Sequence, residues 1–167
     1  MKHLFFALAM TAGLLLGATT KAETLAYPSA DNASFIIDHP SSWEMEPGEE
    51  VGDYVTLASP SGAVLQLRTI PGTEKAMNQA VQENVDYLGE TFSNVELGEP
   101  QELKHGNLEG SVITGSGKDE DDQDVGFAIY FIALPDGKVA EIWYAVVKGD
   151  QDGHKAAVKI LDSFRTP

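Results

Sequence analysis

Two adjoining segments, residues 127–134 and 138–147, are apolar on both of the faces a strand presents, and Pro135-Asp136-Gly137 joins them. In the first, Phe127, Ile129 and Phe131 fall on one side, with Ala128, Ile132 and Leu134 on the other. In the second, Ile142, Tyr144 and Val146 oppose Val139, Trp143 and Val147. Asp-Gly in the link is hairpin chemistry, because a tight turn needs the positive φ that glycine adopts freely. A strand covered on one face alternates apolar with polar residues, and these two do not alternate. The pair therefore predicts the middle of an antiparallel sheet with cover on both of its faces.

The covers are legible too. Met77, Val81, Val85 and Leu88 recur at helical spacing beside Ala80, predicting a helix over 74–88 with Thr73 as its cap, an apolar stripe on one face and Gly89 as its stop. Ala157, Ile160, Leu161 and Phe164 form a second stripe after a cap at Asp150 or Asp152. One helix precedes the central hairpin and one closes the chain. The expected class is α+β: an α/β/α sandwich on an antiparallel sheet of about six or seven strands, with helices on both faces.

The other strands follow from alternation and breakers. Residues 34–45 read as strand, Pro-Ser turn and a strand led by Trp43, together a hairpin-like unit, after a short lead-in over 23–32. Residues 54–58 and 63–70 flank Ser59-Pro60-Ser61-Gly62 and predict a hairpin. Residues 95–103 contain Gly98 and Pro100, which suits an edge or bulged strand. Residues 108–115 predict one more.

The first 22 residues belong to something else. Lys2 and His3 precede an apolar run over 4–16, and small residues surround Thr20 and Ala22. That is the build of a secretory signal peptide over 1–22, which leaves a single domain over 23–167. The run is too short to span a bilayer comfortably, although a retained anchor is the competing reading. The expected location is periplasmic or secreted, with no integral membrane segment once the leader is removed. Without cysteine there are no disulfides and no lipid at the cut site. The leader holds two basic and no acidic side chains, so its loss takes the formal charge from −15 to −17. Such a surface repels nucleic acid and anionic lipid and favours cations or basic partners.

Motifs for chemistry are sparse. Asp119, Glu120, Asp121, Asp122 and Asp124 form the loudest polar run and are the candidate ligands for a hard cation such as Ca2+. The EF-hand pattern fails there, because Asp124 and Tyr130 stand where Gly and Glu are required. Its plainer reading is a solvated loop. Gly115-Ser116-Gly117-Lys118 lacks the glycine and the hydroxyl of a phosphate loop, with Val112 and Asp119 in those places. There is no Gly-x-Ser-x-Gly, and His39, His105 and His154 share no ligand spacing. Glu141 interrupts an apolar strand. It either marks a site or pairs with Arg68 or a lysine. Tyr130, Trp143 and Tyr144 read as core or groove lining, and Asn32-Ala33-Ser34 fits the glycosylation sequon. No catalytic or cofactor-binding residue is assigned.

Several stretches, in order and spacing, resemble the Mog1/PsbP-like superfamily, and above all its bacterial exported branch. They are Phe35-Ile36-Ile37-Asp38-His39-Pro40-Ser41-Ser42-Trp43, Val55-Thr56-Leu57-Ala58-Ser59-Pro60-Ser61-Gly62-Ala63, the helix 76–88, Leu108-Glu109-Gly110, Asp136-Gly137-Lys138 and Ile160-Leu161-Asp162-Ser163-Phe164. The resemblance covers residues 33–164 and implies the same α/β/α sandwich. It also implies a non-catalytic protein that binds or assists an unidentified partner protein in the cell envelope, as an accessory or assembly factor. The alternative is a small-ligand or divalent-cation-binding module built on the acidic loop 119–124. Fold analogy does not choose between these roles.

Overall fold

The computed structural model describes residues 21–50 and 52–167. The expected leader over 1–22 lies outside them except for its last two residues.

Ten strands and two helices follow in chain order: β1 (Ala22–Tyr27), β2 (Phe35–Pro40), β3 (Glu44–Glu46), β4 (Val55–Ala58), β5 (Val64–Pro71), α1 (Glu74–Thr91), β6 (Ser93–Leu97), β7 (Gln101–His105), β8 (Leu108–Lys118), β9 (Asp124–Ala133), β10 (Lys138–Val147) and α2 (Gln151–Asp162). Eight strands form one antiparallel sheet in the order β3-β4-β5-β10-β9-β8-β6, with β7 also on β8. The two-faced hairpin lies inside this sheet as expected: β10 pairs with β9 on one side and β5 on the other. Side chains leave a strand on alternate faces, so each of these strands contributes to two cores. Phe127, Ile129, Phe131 and Trp143 meet α1 residues Ala80 and Leu88. Ala128, Ile132, Ala140, Ile142 and Tyr144 meet Ala157 and Ile160 of α2, together with Phe35 and Ile37 of β2. The result is an α+β sandwich, mostly sheet, with a helix on each face.

Four local expectations change. The lead-in over 23–32 contains a strand: β1 pairs with β2 from Ala22↔Pro40 to Tyr27↔Phe35 in a separate two-stranded sheet. The Pro-Ser turn consequently closes no hairpin. It hands the chain from that small sheet to the large one, where β3 pairs with β4. The small sheet is held on the α2 side by stacking of Phe35 on Phe164 at 5.2 Å and by Ile36 and Arg165 exchanging backbone hydrogen bonds.

The expected strand over 95–103 is two strands, β6 and β7, on successive parts of the same edge of β8. Pro100 donates no N–H to a ladder, so pairing is interrupted around it. α1 passes Gly89 and ends at Phe92, whose ring packs on Phe127 and Trp143 and turns the chain down onto the sheet.

The fourth change concerns the face that α1 buries. Its buried positions are Ala80, Asn84 and Leu88, spaced by four. Val81 and Val85, expected inside, are 39% and 46% exposed. The helix is rolled about its axis so that an asparagine, not a valine, points at the sheet.

Candidate functional site

The reason for that roll is Glu141. It lies in the middle of the sheet with no exposed surface. A buried carboxylate is tolerable only if charge and hydrogen bonds compensate it. β5 lies beside β10 with Arg68 directly opposite Glu141. Arg68 Nε donates to Glu141 Oε2 at 2.6 Å, and Asn84 Nδ2 donates to Glu141 Oε1 at 2.5 Å and to the Ala80 carbonyl at 2.8 Å. Arg68 also donates through Nη2 to Glu83 at 2.8 Å and lies 4.4 Å from the centre of the Tyr54 ring.

Burial opposes the charge on Arg68, but its bonds to Glu83 and Glu141 outweigh that and hold the guanidinium above its ordinary range. The Arg68 bond, aided by Gln79, holds the Glu83 carboxyl below its own. Burial, reinforced by the charge of Glu141, pushes the Tyr54 phenol up. Each oxygen of the Glu141 carboxylate has a donor, so its burial is compensated. The network orients α1. Of the two readings of Glu141, pairing with Arg68 is the one found.

Orientation of α1 creates surface on both its flanks. On one side Val81 and Val85 line a shallow apolar slot with Leu97 of β6 and Ile113 of β8, and Leu97 is 48% exposed. At the C-terminal end of the helix, Tyr87, Phe92 and Trp143 line a cleft of about 200 Å³ with Val64, Gln66 and Asp119. Tyr87 is 43% exposed and meets Trp143 edge-on at 5.4 Å. Periodicity alone could not find this surface, because Val81 and Val85 score as core. The available signal was the spacing Ala80–Asn84–Leu88 together with a carboxylate at Glu141 that needed donors.

The acidic run lies in the turn between β8 and β9. Asp119 Oδ1 accepts the backbone N–H groups of Asp121 and Gln123 at 3.0 and 2.8 Å, which spends it on the turn itself. Lys118 Nζ reaches the Asp122 carbonyl at 3.0 Å, Asp122 Oδ1 at 3.2 Å and Asp124 Oδ1 at 3.5 Å. Glu120 and Asp121 are exposed. Among the described residues no three Asp, Glu, His or Cys side chains are gathered as a metal ion requires.

Among the described residues, His39, His105 and His154 are each used locally. Nδ1 of His39 lies 3.2 Å from the Pro40 carbonyl, Nε2 of His105 lies 2.7 Å from that of Phe164, and Nδ1 of His154 lies 2.7 Å from the Tyr144 hydroxyl. His154 also borders a groove of about 580 Å³, with Asn94, Ser116, Gly126, Lys148 and Asp150. Of the sequon residues, Asn32 is exposed, and Ser34 Oγ donates to Asp136 at 2.8 Å. No helix among the described residues is long and apolar enough to cross a membrane.

No family description and no curated protein matches the chain. Solved structures do share its fold. A crystal structure from Bacteroides thetaiotaomicron is similar at a TM-score of 0.57 and 16% identity, over 86% of this chain and 48% of that one. The solution structure of cyanobacterial PsbP (CyanoP) from Synechocystis sp. is similar at 0.58 and 12% identity, over 92% of this chain and 98% of that one. This chain thus spans about half of the Bacteroides chain and nearly all of CyanoP. At such identities the likeness is one of fold, and that fold is PsbP-like, as the sequence resemblance implied.

Proposed function

We propose that this chain is an exported, non-catalytic accessory protein that binds or assists another protein of the cell envelope through the exposed flank of α1. The observation that carries this reading is the strip Val81, Val85, Leu97. All three are large apolar residues, all more than a third exposed, and they line one slot. Apolar side chains gathered on a surface mark contact sites for other macromolecules. The slot is shallow and has no converging polar groups of the kind that orient a small substrate. Asn84, which lines the slot, is bonded to Glu141 and to the Ala80 carbonyl, and a surface held in place before docking loses less entropy on binding. The leader pattern, the absence of cysteine and the acidic surface support the exported location.

The test is in-cell cross-linking of the full chain in the source organism, comparing the parent with a Val85→Glu, Leu97→Glu double variant. Both residues are half exposed, so the variant keeps the parent's melting temperature. The parent is expected to yield a defined cross-linked protein that the variant loses. Recovery of the same proteins by both, or of none by either, overturns the reading.

A further inference from the structure

We propose that the exposed flank of α1 and the sheet beside it form a corner that receives one amphipathic helix of the partner, apolar toward Val81, Val85, Leu97 and Ile113 and basic along its outer side. The inference rests on the protein-binding reading above and adds the shape and charge of what is bound.

The corner has a wall and a floor. Val81 and Val85 stand about one turn apart on α1 and make the wall. Leu97 of β6 and Ile113 of β8 lie at its foot. Strand alternation extends the floor outward. Leu103, Leu108 and Val112 pack into the core on the α2 side. Glu102 and Lys104 of β7, and Glu109 and Ser111 of β8, therefore fall on the α1 side. Glu102, Lys104 and Glu109 are exposed, so neither α1 nor α2 covers this part of the sheet. It is two strands across, β8 with β6 or β7 on its edge, and a strand spacing of about 4.8 Å makes it about 10 Å wide. That is the width of one α-helix.

The slot between wall and floor encloses about 20 Å³, far below the roughly 300–1,000 Å³ of small-molecule sites. Its occupant is therefore a surface laid across the corner. A strand laid flat there would press unpaired N–H and C=O groups against apolar side chains, whereas a helix bonds its own backbone. Charge selects the helix. Around the corner stand Glu74 at the start of α1, Glu99 two residues past Leu97, Glu102 and Glu109, against Lys75 and Lys104. Among the described residues none of these six is in an ion pair. The excess is acidic, and so is the domain, at a formal charge of −17. A helix with acidic flanks is repelled and one with basic flanks attracted.

The test is methyl NMR of the full chain with three probe peptides of about 18 residues. The first has leucine at the helical spacing i, i+3, i+4, i+7 and lysine at all remaining positions. The second replaces its lysines by glutamate. The third keeps the composition of the first but alternates leucine with lysine, the period of a strand. The first peptide is expected to shift the methyls of Val81, Val85, Leu97 and Ile113 saturably, with Kd near or below about 0.1 mM. Met45 and Val158, exposed elsewhere, should stay in place. The other two peptides should bind at least about tenfold more weakly. Val85→Glu with Leu97→Glu should lose at least about tenfold although it adds negative charge, and Val158→Glu should lose nothing. Fixed methyls at about 1 mM of the first peptide overturn the inference. So do equal shifts at Met45 and Val158, which mark diffuse attraction to an acidic surface, and equal binding of the alternating or the acidic peptide. Cross-linking that the Val85→Glu, Leu97→Glu variant abolishes, with the helical peptide failing, discards the helix and keeps the strip as a contact. Failure of both discards the protein-binding reading as well.

Discussion

Replacing Arg68 by methionine tests whether a buried charge pair sets the position of α1. Methionine fills most of the volume but removes the cation from Glu141, which has no exposed surface. The Glu83 half of the arginine's bonding is worth little, because Glu83 is 47% exposed and such pairs contribute under about 1 kcal/mol. The Glu141 half is different. Stranding a buried carboxylate costs about 3–5 kcal/mol. Asn84 still donates to it, so the lower end of that range, about 3 kcal/mol, is expected.

In a domain of this size such a loss lowers the melting temperature by about 10 °C. The double variant Arg68→Met, Glu141→Leu removes both charges together. It leaves Asn84 bonded to the Ala80 carbonyl, so no buried charge is left and only a modest packing defect of about 1 kcal/mol remains. Urea unfolding monitored by circular dichroism gives both numbers, and their difference, about 2 kcal/mol, is the stability recovered when the stranded carboxylate is removed as well. If Arg68→Met lies within about 1 kcal/mol of the parent, or the double variant is less stable than the single, the Arg68–Glu141 pair does not hold α1 in place.

Two further outcomes follow from the sheet and the aromatic residues. A Cβ at Gly110 would collide with the Phe131 carbonyl across the β8–β9 ladder, whereas one at Gly126 on β9 would meet nothing within 4 Å. Gly110→Ala should therefore lose about 2 kcal/mol or more, and Gly126→Ala should stay within about 1 kcal/mol of the parent, both by urea unfolding. Burial holds the phenols of Tyr27, Tyr54 and Tyr130 above their ordinary range and pushes Tyr144 up to about 12. A folded-state pKa above the unfolded value of about 10 means that this stabilisation is complete below about pH 10 and is lost as pH rises toward 12. Ultraviolet titration of tyrosinate should show these four of the five tyrosines ionising with unfolding. Their free titration near pH 10 in the folded protein would contradict that.

The central hairpin and its two covers were legible because their causes are local. Strand and helix periods are fixed by backbone geometry, and Asp136-Gly137 has a turn chemistry of its own. The pairing of Arg68 with Glu141 was also within reach, since an apolar strand cannot hold an isolated carboxylate. The partners of short segments were not legible. β1 looked like a lead-in, and the Pro40-Ser41-Ser42 turn looked like the tip of a hairpin. Which strand a segment joins depends on surfaces contributed from far along the chain. Here Phe164 and Arg165 hold β2 on the α2 side of the sheet.

The same limit governs the surface proposed to bind a partner. The sequence by itself determined that α1 exists and that it carries Val81 and Val85 one turn apart, because helix formation and spacing are properties of adjacent residues. Only the tertiary structure decided which way the helix faces. A polar contact with a fully buried glutamate on β10 outweighed two valines, since an unpaired buried charge costs more than half-exposed apolar side chains do. That choice put Asn84 inside and left Val81 and Val85 on the surface beside Leu97.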